Sequence, residues 1–284
     1  MLSMLENKNI LVCGCGGLGT EILKILKFFK VKVTVIDKDD VSLSNLNRQY
    51  FYRREDIGKN KVECIKKKFC KMKNFYLENA IHKDIFDLKK EDIEKYDIII
   101  LCLDNVESRM HVNYLISLIE KNIILLDIGV EGVVGHVKIC DKSKSCLYCI
   151  KDLYRQEKTY NICSLKTLNH KKYNREDYLA MELSNNKKKC KIDNCKCYIE
   201  KTMINYNSLN GIKETTIFEL EGIDKNIISN VCYINSILAS LAILKLSKYY
   251  DNKKEKDFIN YSGKNIEIIE IEICKDTECF LCYK

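Results

Sequence analysis

The sequence predicts an α/β fold: an open, mainly parallel, doubly wound sheet flanked by helices. Three observations carry this. A short apolar run ends in a glycine cluster and is followed by helical apolar spacing, a second apolar run closes on an aspartate, and the alternation continues as far as Cys140. Parallel strands require right-handed crossovers, so such alternation folds into a sheet with helices on both faces.

The elements follow in order. Residues 9–13 form the first strand, ending at Gly14, and residues 20–29 form a helix with apolar positions at Ile22, Leu23, Ile25, Leu26 and Phe29. Val31 to Ile36 is the second strand and ends on Asp37. A helix near 59–73, a strand from Asp97 to Leu103, a helix near 106–120, and strands Ile123 to Asp127 and Val133 to Cys140 continue the pattern. Between about 150 and 215 the periodicity fades into a stretch rich in Lys and Asn, read as an insertion with a helix around 175–184. The pattern returns with a long helix over 226–248 and a strand from Ile266 to Ile273. The expected organisation is therefore a first nucleotide-binding part (1–150), a small, mainly helical insertion (151–215) and a second part of the same domain (216–284).

With 284 residues, 46% hydrophobic and 31% charged, the chain can bury its own core and is neither a disulfide-stapled miniprotein nor a disordered tail. The net charge of +8 is spread along the chain without an aromatic-interleaved basic stripe, which argues against a nucleic-acid partner. Val231 to Leu246 is interrupted by Asn235, Ser236 and Ser240, so it reads as a buried helix and no membrane partner is expected. The N-terminus lacks the pattern of a secretory signal, and a cytoplasmic or nuclear location is expected. Sixteen cysteines in a reducing compartment then suggest metal ligands, nucleophiles or buried small hydrophobes before disulfides. Proline is absent and glycines number only 11, against roughly 20 at average usage, so the glycines that remain are weighted heavily.

Gly14, Gly16, Gly17 and Gly19 fall where a phosphate loop belongs, between the first strand and the first helix. Missing side chains let backbone amides approach an anion, and the helix dipole favours its charge. Asp37 is placed to accept hydrogen bonds from ribose hydroxyls. To this point a nicotinamide-dependent dehydrogenase fits as well as any other nucleotide enzyme.

The run from Asp37 to Tyr50, Asp-Lys-Asp-Asp-Val-Ser-Leu-Ser-Asn-Leu-Asn-Arg-Gln-Tyr, followed by Gly58-Lys59-Asn60-Lys61, separates the two. It resembles the D-x-D-x-(V/I)-x-x-S-N-L-N-R-Q-F and G-x-x-K signature of ubiquitin-like-modifier activating enzymes and their bacterial relatives MoeB and ThiF. The resemblance implies the ThiF/MoeB adenylation fold, a Rossmann-like sheet with an inserted catalytic-cysteine domain. It also implies ATP as substrate, bound by the glycine loop with Asp37, Asp39, Asn45, Arg48, Gln49 and Lys61, and Mg²⁺ held by Asp104. Arg48, Lys61 and Asp104 are then catalytic, because adenylation of a carboxylate expels pyrophosphate and the growing charge must be neutralised.

Cys146-Leu147-Tyr148-Cys149 and Cys279-Phe280-Leu281-Cys282 are two C-x-x-C pairs, each able to supply half of a tetrahedral Cys₄ zinc site. A redox C-x-x-C is the competing reading, but no thioredoxin pattern accompanies either pair. In the resembled family the corresponding zinc is structural. Cys163, in Asn161-Ile162-Cys163-Ser164-Leu165, resembles the family's P-x-C-T-(I/L) segment, with no proline and with serine for threonine. That resemblance makes Cys163 the nucleophile that converts an acyl adenylate into a thioester. Cys190, Cys195 and Cys197 match nothing.

Residues 198–246 resemble the segment after the cysteine domain in catalytic subunits of heterodimeric activating enzymes, and the short interval before Cys163 points to the neddylation (Rub) type. The implied partners are a ubiquitin-like modifier, a conjugating enzyme and a non-catalytic subunit. The sequence ends at Lys284, so the family's C-terminal ubiquitin-fold domain is expected to be missing. No arginine occurs in the first eight residues, where homodimeric relatives carry one that reaches the neighbouring subunit's ATP, so the partner subunit is expected to supply it. The alternatives are a SUMO- or ubiquitin-activating subunit, a sulfur-carrier adenylyltransferase, and a non-catalytic scaffold subunit.

Overall fold

The central strands are short and apolar enough to be buried on both faces, and their order in space is what positions the site. A computed structural model describes residues 5–69, 76–154, 232–251 and 256–282. The elements are β1 (Asn9–Cys13), α1 (Gly17–Leu26), β2 (Lys32–Asp37), α2 (Lys61–Phe69), β3 (Tyr76–His82), α3 (Lys90–Ile93), β4 (Ile98–Leu101), α4 (Val106–Ser117), β5 (Ile124–Glu131), β6 (Val134–Cys140), α5 (Cys232–Tyr250), β7 (Phe258–Ser262) and β8 (Glu267–Ile271). They form one eight-stranded sheet in the order β3-β2-β1-β4-β5-β6-β7-β8.

Side-chain alternation explains the double winding. In β1, Ile10 and Val12 join the layer containing Ile22, Leu23 and Leu26 of α1, Ile65 of α2, and Leu238, Ala242 and Leu246 of α5. Leu11 and Cys13 point the other way, into the layer formed by Ile93 of α3, Val112 and Leu115 of α4, and Leu147 and Ile150. The chain runs outward from β1 through β2 to β3 and then returns to β4 on the other side of β1. The strand order therefore reverses between β1 and β4, and it is at the carboxyl ends of strands at such a reversal that folds of this kind bind ligands.

The expectation of a mainly parallel sheet holds from β3 to β5 and stops there. β5, β6, β7 and β8 pair antiparallel. For two of these pairs the reason is local: Gly132 and Val133 join β5 to β6 in a two-residue turn, with Gly132 at φ 61°, and residues 263–266 join β7 to β8, and turns so short join only antiparallel strands. Two strands had no counterpart in the sequence reading. β3 is an edge strand whose residues are half-buried or exposed, and β7 is a five-residue strand of mixed polarity.

The helix expected at 175–184, Cys163, and Cys190, Cys195 and Cys197 lie outside the described residues, as does most of the insertion expected at 151–215. Among the described residues no helix is long and apolar enough to cross a membrane.

Candidate functional site

The glycine loop has the tightest backbone in the site. Gly14 sits at φ 96°, and a Cβ there would stand 2.5 Å from the Cys102 carbonyl oxygen, while a Cβ on Gly19 would collide with the Gly14 carbonyl. These contacts fold the turn back on itself between the ends of β1 and β4 and leave Gly16 and Gly17, at the start of α1, partly open. The buried thiols of Cys13, Cys15 and Cys102 are pushed up, that of Cys102 to about 12, mainly by burial. They stay protonated and serve as small hydrophobes.

Asp37, at the end of β2, faces this loop. Its Oδ2 accepts the Cys15 N–H at 2.6 Å and its Oδ1 the Asp39 N–H at 2.8 Å. Burial raises its pKa, against the opposing pull of Lys61 and the two amides.

The loop from Asp39 to Lys61 is closed like a clasp. The Val41 N–H donates to the Lys59 carbonyl, the Gly58 N–H to the Val41 carbonyl and the Lys61 N–H to the Asp39 carbonyl. Gly58, at φ 78°, makes the turn. The clasp brings Lys61 Nζ to 2.8 Å from Asp39 Oδ2, with the lysine buried and the aspartate half-exposed. Asn45 accepts the Ser42 N–H at 3.0 Å and holds the 3₁₀ turn Leu43–Asn45. Arg48 Nη1 donates to the Ser44 carbonyl at 2.8 Å and to Asn47 Oδ1 at 3.1 Å, with no carboxylate partner among the described residues; burial lowers its pKa. The Tyr52 hydroxyl donates to the Cys15 carbonyl and ties the clasp to the glycine loop.

Asp104 is exposed just beyond β4. Its Oδ1 accepts Asn105 Nδ2 at 3.2 Å, and its Oδ2 has no hydrogen bond among the described residues. Asn105 caps α4, accepting the Ser108 N–H at 2.8 Å. Asp37, Asp39 and Lys61 are thus linked in a chain of polar contacts to the glycine loop, Gln49 lies beside Gly16, Asn45 and Arg48 sit on the turn just before Gln49, and Asp104 follows two residues after Cys102, whose carbonyl stands against Gly14.

Two buried amides beside the loop are left unpaired. Gln49 Oε1 has no partner, and Gln49 lies next to Gly16; Asn235 Nδ2 has none either, and a Cβ on Gly17 would stand 2.5 Å from it. Buried polar atoms without partners are uncommon in native proteins, and beside this glycine loop they fit a site that binds a polar ligand. Asn235, on α5, was missed from sequence because it is far away in the chain and reads there as an interruption of an apolar helix. A second omission is the fully buried pair Arg109–Asp127. Asp127 Oδ2 also accepts His136 Nε2 at 2.8 Å and the Tyr154 hydroxyl at 2.7 Å. These partners hold the Asp127 carboxyl at about 2 despite its burial.

The C-x-x-C pairs meet at the far end of β6. The Sγ atoms of Cys146, Cys149, Cys279 and Cys282 all lie within 4.8 Å of one another. Three of the Sγ separations are 3.5, 3.6 and 3.8 Å, close to the roughly 3.8 Å edge of a tetrahedron with 2.3 Å Zn–S bonds. The Asp276 N–H points at Cys149 Sγ, 3.4 Å away, as a supporting donor. Beneath the cluster, buried Lys138 pairs with Asp257; Ser145 donates to the Ile273 carbonyl, and the Ile273 N–H donates to Asp257. That network brings the two distant segments together, and the four thiols fit a structural zinc ion.

A family model described as ThiF matches residues 2–281. The chain is 36% identical over 170 residues to the NEDD8-activating enzyme E1 catalytic subunit of Dictyostelium discoideum, covering 55% of this chain and 38% of that protein. It is 31% identical over 168 residues to SUMO-activating enzyme subunit 2 of the same organism, covering 57% of this chain and 25% of that protein. It thus spans well under half the length of both. Against the Saccharomyces cerevisiae NEDD8-activating enzyme E1 catalytic subunit, identity is 31% over 286 residues, covering 92% of this chain and 89% of that protein. Among solved structures, Escherichia coli MccB with ATP superposes with a TM-score of 0.62 at 17% identity, covering 99% of this chain and 68% of that chain, a likeness of fold. With a family model matched along almost its whole length and a sheet of the expected α/β type, the chain belongs to the ThiF family.

Proposed function

We propose that this chain is the catalytic subunit of an ATP-dependent activating enzyme for a ubiquitin-like modifier, of the neddylation type. What supports this reading is the chain of contacts that ties Asp37, Asp39 and Lys61 to the glycine loop, with Arg48 on the adjoining turn and Asp104 just beyond β4, in a chain similar along 92% of its length to a NEDD8-activating catalytic subunit.

In this reading the triphosphate lies against the amides of Gly16 and Gly17 at the N-terminus of α1, and Asp37 accepts the ribose hydroxyls. A carboxylate oxygen of the modifier's C-terminal glycine attacks the α-phosphorus. The bond from that phosphorus to the bridging oxygen breaks, and pyrophosphate leaves with the electron pair. Arg48 and Lys61 hold positive charge where negative charge grows, and the burial of Lys61 and half-burial of Arg48 strengthen that effect. Asn45 and Gln49 orient the phosphates from the same turn. Asp104, exposed and with a free oxygen, would hold Mg²⁺, which supplies charge neutralisation for the leaving group. The Cys163 thiolate then attacks the acyl carbon, the bond to the AMP oxygen breaks, and a thioester forms for transfer to a conjugating enzyme's cysteine. Zinc on Cys146, Cys149, Cys279 and Cys282 is structural. A partner subunit completes the site with an arginine.

The test is a non-reducing gel of the chain with its copurified partner, Mg-ATP and each candidate modifier. A dithiothreitol-sensitive band with one modifier, lost in Cys163→Ala, is the expected result. Adenylate formation with no thioester would overturn the reading in favour of a sulfur-carrier adenylyltransferase. A band with a SUMO-type modifier alone would overturn the neddylation assignment.

A further inference from the structure

Arg109 lies in the first turn of α4, close behind the Asn105 cap, and its guanidinium spans two chain ends. Nη1 pairs with Asp127, while Nη2 donates to the Leu103 carbonyl and, at 3.1 Å, to the Ile128 carbonyl. Ladder pairing between β4 and β5 stops at Leu101 and Asp127. Beyond that point the Arg109 fork takes the place of the ladder, and Leu103 is the residue immediately before Asp104. Replacing a buried ion pair with apolar groups of similar volume is often neutral or stabilising, so stability alone gives little reason to bury this one. An arginine fork fixes the direction of the groups it binds, which a single-point lysine does not.

We propose that Arg109 is a positioning residue: by clamping the Leu103 carbonyl against the end of β5, it fixes the peptide that carries Asp104 and so aims that carboxylate at a divalent cation. Asp127, steadied by His136 and Tyr154, sets the guanidinium in turn. Asp104 is thereby held from both sides, by the clamp before it and by the Asn105 cap after it. The inference rests on the assignment of Asp104 as the cation ligand.

The test is the affinity of the full chain with its partner subunit for Mn²⁺ in the presence of a non-hydrolysable ATP analogue, read by electron paramagnetic resonance, with thermal melting alongside. Arg109→Lys keeps a charge for Asp127 but loses the fork, and should weaken Mn²⁺ binding by about 10- to 100-fold, as outer-shell changes do. Arg109→Gln combined with Asp127→Asn removes both charges and should weaken binding similarly; it serves where Arg109→Lys fails to fold. Tyr249→Phe, which removes a hydroxyl bonded to Asp141 and touches no part of the clamp, should lower the melting temperature and leave Mn²⁺ affinity unchanged. Affinity within about twofold of the parent in the Arg109 variants, where 10-fold is expected, overturns the positioning role. If Asp104→Ala binds Mn²⁺ as tightly as the parent, the cation assignment itself falls, and that arm separates the two failures.

Discussion

Replacing Lys61 with methionine separates two roles that a buried lysine can play. Lys61 Nζ stands 2.8 Å from Asp39 Oδ2. Coulomb's law at an effective dielectric of about 20 gives such a pair roughly 6 kcal/mol. The Asp39 side chain is 52% exposed, however, so water screens the pair and its net worth falls to about 1 kcal/mol or less. At about 2 to 4 °C per kcal/mol for a domain somewhat smaller than this chain, Lys61→Met should lower the melting temperature by only a few degrees. Losing one fixed positive charge facing the departing pyrophosphate should instead cost about 3 to 4 kcal/mol, a fall of about 10²- to 10³-fold in pyrophosphate exchange. Asp37 supplies a second reading, because Lys61 opposes the upward push of burial on its carboxyl. In the variant that carboxyl rises further, and the acid limb of any residual activity moves to higher pH. Melting measured by circular dichroism and modifier-dependent exchange of labelled pyrophosphate into ATP together decide the matter. A drop of roughly 10 °C or more with exchange near the parent level would refute the reasoning and make Lys61 a structural staple.

Further predictions follow from the same geometry. Gly19→Ala places a methyl group on the Gly14 carbonyl and should abolish nucleotide binding in a fluorescent ATP-analogue titration, whereas Gly58→Ala, strained at φ 78° but with open space around it, should cost about 1 kcal/mol. Asp127 has a folded pKa of about 2 against an ordinary 3.8, so it adds roughly 2 kcal/mol of stability that is fully present above about pH 4 and lost as pH falls toward 2. The stability gap between parent and Asp127→Asn should therefore narrow across that window in urea titrations at stepped pH. One zinc per chain should be found by mass spectrometry; its removal by a chelator, or Cys279→Ser, should lower the melting temperature by on the order of 10 °C. The chain without its partner subunit should exchange pyrophosphate about 10²-fold more slowly than the pair, and full exchange by the isolated chain would rule out a donated arginine.

Much of the candidate site was legible because its residues cluster in sequence. The glycine loop, Asp37, and the run to Lys61 lie in one stretch where backbone demands and charge leave marks in the residue types. The four-cysteine cluster was legible as well, since each C-x-x-C is a local chelate whichever partner it finds. What escaped depends on pairing across the fold. Arg109 and Asp127 look like an ordinary helix arginine and a strand-end aspartate until β4 and β5 lie side by side. Asn235 acquires meaning only where α5 meets Gly17. β3 lacks an apolar pattern because it lies at the sheet edge, and the switch to antiparallel pairing begins at a two-residue turn between β5 and β6 whose effect on topology no periodicity reveals.

The central claim, that this candidate site adenylates a modifier's C-terminal carboxylate, is tested most directly by exchange of labelled pyrophosphate into ATP by the chain with its partner subunit. The account predicts exchange that requires one ubiquitin-like modifier with its terminal glycine intact and that disappears in Asp104→Ala. Exchange at the parent rate in Asp104→Ala, or none with any modifier while ATP still binds, would contradict it.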